Sequence, residues 1–136
     1  MKFVDKQLAL KLKEKGFDRS CFNAYNAHGC QYLNGWCEYL DERDTDFIYL
    51  SDLHDKDCLC PTVDQVLDWL REEKDIDIVI YPIDRNTIYM GGEKYILSIY
   101  FCGKRDYKIH KDNNDKFVKW EDACISGIEY VINNLI

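Results

Sequence analysis

The chain has no apolar run approaching the roughly 20 residues that a bilayer-crossing helix needs, and no apolar signal region stands at its N-terminus. The expectation is a cytoplasmic protein with no membrane partner. Seven cysteines are present, but an odd count at irregular spacing is no disulfide framework and points to reduced thiols. A nucleophile elbow, a glycine-rich phosphate loop, internal repeats, low-complexity tracts and linkers are also missing. The 136 residues read as one α+β domain, residues 1–136, burying roughly two thirds of the surface that the unfolded chain exposes.

Basic residues are scarce in one place. Between positions 38 and 68, Glu38, Asp41, Glu42, Asp44, Asp46, Asp52, Asp55, Asp57, Asp64 and Asp68 meet only Arg43 and Lys56, a balance of −8. The other 15 acids and 16 bases nearly cancel, so the net charge of −7 sits in that segment. Such a segment repels phosphate backbones, which argues against general nucleic-acid binding, and it steers basic partners or gathers cations.

Regular patterning is clearest from Pro61 to Cys102. Thr62 and Gln65 have the spacing of a capping box, and Val63, Val66, Leu67 and Leu70 follow on one face, predicting a helix over about 63–74. Ile76, Ile78 and Ile80 then alternate with Asp77, Val79 and Tyr81, which predicts a strand. Thr87–Met90 and Tyr95–Cys102 flank Gly91-Gly92 as a hairpin. Upstream, Asp5 caps a helix over about 5–15 that Lys15-Gly16 stops, and Phe17 packs back on it. Short strands are expected at Cys21–Tyr25, at Cys30–Leu33 and, after the Asn34-Gly35 turn, at Trp36–Leu40. Asp41–Cys60 reads as a long acidic loop around one short element, Phe47–Leu50, and loops of that length in compact domains are often functional. Lys104–Lys119 reads as a basic connector leading to a last helix over about 120–134, where Gly127 allows close approach to the sheet. The whole predicts three helices on a mainly antiparallel sheet of about five to six strands.

Cys60-Pro61-Thr62-Val63-Asp64-Gln65-Val66-Leu67-Asp68-Trp69-Leu70-Arg71, after a first helix ending Glu14-Lys15-Gly16-Phe17-Asp18, resembles a group of small uncharacterised α+β proteins of gut bacterial genomes and their mobile elements. That resemblance implies a small α+β fold and carries over no activity and no functional residues.

Several chemistries have candidate residues. His54, Cys58 and Cys60 lie close together, but Cys58-Leu59-Cys60 is tighter than the C-x₂₋₄-C pairing of structural zinc sites. Asp41–Asp46 and Asp112–Asp115 lack the glycine and distal glutamate of an EF-hand. No sequence feature pairs a cysteine with His28, His54 or His110, and cysteines among apolar residues behave as small hydrophobes. Ten Tyr, six Phe and three Trp make the chain rich in aromatics. Trp69, beside the main apolar stripe of its helix, and Trp36, after a hairpin turn, are more often core or core-edge than interaction anchors, and an exposed Trp or Tyr cluster beside the acidic segment would favour a binding role. The reading is a non-enzymatic protein-binding or accessory module that meets a basic protein partner through Asp41, Glu42, Asp44, Asp46, Asp52, Asp55 and Asp57, with Trp69 nearby and no cofactor. The alternative is a metal-dependent hydrolase or nuclease built around the 81–110 hairpin from Asp84, Glu93, Asp106 and Lys108. A homo-oligomer subunit is a third reading.

Overall fold

The computed structural model describes residues 2–26, 31–32, 48–49, 51, 53–82, 95–101, 108–109 and 116–136. The described chain is α+β with three helices, α1 (Lys6–Glu14), α2 (Val63–Lys74) and α3 (Trp120–Asn134). Its strands are β1 (Asn23–Tyr25), β2 (Gln31–Tyr32), β3 (Cys58–Cys60), β4 (Ile76–Pro82), β5 (Tyr95–Phe101), β6 (Lys108–Ile109) and β7 (Lys116–Phe117). The single sheet expected from the sequence is corrected. Among the described residues β2-β1-β3 form one antiparallel sheet, and β4-β5-β6, with β7 also on β5, form another. The chain correspondingly divides into two compact units, Met1–Gln65 and Val66–Ile136, with the division falling inside α2.

In the first unit the Asp5 side chain accepts from the Leu8 amide at 2.8 Å and starts α1. Gly16, at φ +90°, stops it: the Gly16 and Phe17 amides reach back to the Lys13 and Leu12 carbonyls at 3.1 and 3.0 Å, a Schellman ending. Leu8, Ala9 and Leu12 are buried, and α1 packs on β3. The Thr62–Gln65 capping box is formed in both directions, at 3.0 and 3.2 Å. The Gln65 amide group also donates to the Ser20 carbonyl at 3.0 Å. Cys58–Cys60, expected inside a loop, is a strand paired with β1, because its three side chains are buried and its backbone polar groups then need ladder partners.

In the second unit the buried face of α2 takes in Val66, Trp69 and Leu70, while Leu67 is only half-buried. The helix is thus turned toward its largest apolar group. Its C-terminal junction is Asp75, at φ +55°, a left-handed conformation that Asp tolerates better than most residues. Arg71 bridges Asp68 and Asp77, each at 3.2 Å. β4 and β5 run antiparallel for seven residues, from Ile76 opposite Phe101 to Pro82 opposite Tyr95. α3 lies against β4 and β5 with Ala123, Cys124, Gly127, Ile128, Val131 and Ile132 buried, and a Cβ on Gly127 would stand 2.8 Å from Ile78 Cγ2 and 2.9 Å from Leu97 Cδ1. The close approach expected at Gly127 is present. β6 and β7 occupy what reads as a connector in the sequence, since two-residue strands carry no periodicity of their own.

Candidate functional site

The acidic segment is held at two described places in the first unit. Ile48 exchanges both backbone hydrogen bonds with Cys21, Cys21 N to Ile48 O at 2.9 Å and Ile48 N to Cys21 O at 2.6 Å. Its side chain is wholly buried, and the next residue, Tyr49, is 52 % exposed. A burial anchor followed at once by an outward aromatic is what period-two backbone produces. The second hold is a turn in which the Asp57 amide donates to the His54 carbonyl at 2.9 Å. Lys13 reaches this turn from the last helical turn of α1, and its ammonium donates to the backbone carbonyls of Asp55 at 2.5 Å and Asp57 at 2.8 Å. His54, Asp55 and Lys56 are exposed, whereas Asp57 is 4 % exposed.

The turn leads directly into a group of buried thiols. Tyr25 and Cys58 are cross-strand partners, as are Asn23 and Cys60, so these four side chains share one face of the sheet. The Val4 carbonyl accepts from the Tyr25 hydroxyl at 2.7 Å and from Cys60 Sγ at 3.6 Å, and Cys21 Sγ donates to the Arg19 carbonyl at 3.2 Å. Burial first, and then the neighbouring Cys60, push the Cys21 thiol up from 9.0 to about 12. Burial also raises Cys58, against the opposing pull of Lys13 and Lys6. Tyr25 is raised by burial, by its hydrogen bond to Cys60 and by the neighbouring Cys60, Asp5 and Cys58. Burial of this kind disfavours the thiolate, the form in which a cysteine attacks or binds metal. Among the described residues no group of three or more His, Cys, Asp and Glu could hold a metal ion.

Of the residues singled out from the sequence, Asp41, Glu42, Asp44, Asp46 and Asp52 lie outside the described residues, as do Asp84, Glu93 and Asp106 of the hydrolase reading. Asp55 is on the surface and Asp57 is not. Trp69, a core or core-edge position by its place beside the apolar stripe and also a member of the binding set, is a buried side chain, 2 % exposed, with Lys74 Nζ 5.4 Å from its ring centroid. Its three-residue spacing from Val66 puts both on the inner face of α2. Two residues that sequence reasoning passed over are central here. Tyr49 had a partial signal, the apolar run Phe47–Leu50, which must show one of two adjacent side chains to water. Lys13 had none, because its carbonyl partners lie 42 and 44 residues away.

The chain matches no protein-family model, no curated protein and no solved structure. Among the described residues no helix is long and apolar enough to cross a membrane.

Proposed function

We propose that this chain is a cytoplasmic, non-enzymatic binding module that meets a protein partner with a basic face through its acidic segment, residues 41–57. The observation that carries the reading is Tyr49, presented 52 % exposed from a segment pinned at the buried Ile48. An aromatic ring on a fixed backbone position loses little entropy on binding and supplies contact area, and carboxylates around it steer a cationic partner. Asp41, Glu42, Asp44, Asp46 and Asp52 provide that charge in the sequence, together with the exposed Asp55. Trp69, being buried, takes no part.

The test uses a short, fluorescently labelled peptide rich in arginine and lysine. Binding is expected to weaken steeply between low and physiological salt, by roughly tenfold in Tyr49→Ala, and by at least as much in Asp44→Asn with Asp46→Asn. Equal affinity for the wild type and all variants, or no salt dependence, would overturn the reading.

A further inference from the structure

Lys13 performs a job that its place on a surface helix does not require. Its ammonium leaves the α1 surface to sit between two backbone carbonyls, those of Asp55 and Asp57, at 2.5 and 2.8 Å. Neither residue belongs to the β1–β3 ladder, which begins at Cys58. Lys13 stands in the last turn of α1, where the helix dipole also favours a cation, and the Schellman ending at Gly16-Phe17 fixes the backbone it springs from. The turn it holds closes a segment with seven acids and two bases over positions 41–57. Like charges at that density repel and favour extension, so a fixed turn at its end needs a counter-charge or a tie.

We propose that Lys13 is the positioning residue of the acidic segment, a built-in cation whose seat between the Asp55 and Asp57 carbonyls is a site for an N–H-donating primary ammonium. Both bonds are charge-assisted, and each is about twice as strong as its neutral counterpart. Without the ammonium each of the two carbonyls loses a charge-assisted bond, and the end of the segment loosens toward water. Asp57, 4 % exposed, and the wholly buried Cys58 next to it are uncovered by that movement. The inference goes beyond the partner reading, because it concerns the free protein and is tested with no partner present.

The experiment is amide hydrogen exchange on the full chain, with native-state alkylation of Cys58 by iodoacetamide mapped by mass spectrometry. In Lys13→Ala, exchange over positions 54–58 is expected to accelerate about tenfold while α2 keeps its protection, and Cys58 becomes alkylated. Methylammonium chloride, which brings an N–H donor back to the seat, restores both protections. Tetramethylammonium, with the same charge and no N–H, does not. Unchanged exchange in Lys13→Ala would overturn the proposal. So would equal rescue by the two salts, which means charge screening alone, or equal acceleration across α2, which means a general loss of stability.

Discussion

At the scale of single residues, Ser98 is the position where the fold tolerates a cost. It sits in the middle of β5 opposite Val79, is 1 % exposed, and its hydroxyl has no hydrogen-bond partner among the described residues. The register explains its burial. Tyr81, Val79 and Asp77 share a face with Ile96, Ser98 and Tyr100, and the Tyr81 and Tyr100 hydroxyls meet at 2.7 Å across the intervening Val79–Ser98 pair. The two phenols thus form an arch over it. A buried hydroxyl without a partner costs about 1–3 kcal/mol, so Ser98→Ala is expected to raise the unfolding free energy by ~1 kcal/mol, and a lowered thermal midpoint would contradict this account. Nothing in the local sequence marks Ser98. The strand pattern predicts which residues share its face but not that two tyrosines on neighbouring strands, 19 residues apart in the chain, lean together above it. The cap residues are the opposite case: Asp5, Thr62, Gln65 and Gly16 act on amides and carbonyls within a few positions, so their roles were legible before any folding was considered.

At the scale of elements, all three helices fall where the sequence puts them, because periodicity and caps are local properties. Among the short strands, β1 and β2 lie within the expected Cys21–Tyr25 and Cys30–Leu33, and the others do not share that advantage. β3, β6 and β7 are two or three residues long and exist because β1 or β5 offers a free ladder edge, which no window of the sequence contains. Gly127 shows how far an element-level argument reaches. In an isolated helix Gly→Ala gains about 1 kcal/mol. Here the new methyl group meets Ile78 and Leu97 at less than 3 Å, and displacing packed side chains typically costs about 1–3 kcal/mol. Gly127→Ala is therefore expected to lower stability by ~1 kcal/mol net in chemical denaturation, and a stabilised variant would show that α3 can ride away from the sheet.

At the scale of the whole molecule, the thiols set a limit on alkaline stability. Cys21 has its folded value raised from 9.0 to about 12, and Cys58 and Tyr25 are shifted in the same direction. For groups raised in the folded state, the unfolded chain releases protons first, so their contribution is complete below pH 9.0 and is lost as pH climbs toward 12. Denaturant unfolding is expected to be level near neutrality and to fall above pH ~9, with Cys21→Ala reducing the slope by up to roughly 1.4 kcal/mol per pH unit; an unchanged slope would contradict the buried-thiol account. The amino-acid sequence by itself determined the α+β class, the three helices with their ends, and the concentration of negative charge between positions 38 and 68, since each follows from residues near one another in the chain. Only the tertiary structure decided that the strands divide between two sheets, that Trp69 faces inward while Tyr49 faces out, and that Lys13 holds the turn at Asp55 and Asp57. Those outcomes depend on which distant segments compete for the same ladder edge, buried face or carbonyl oxygen, and that competition is settled only when the chain has closed on itself.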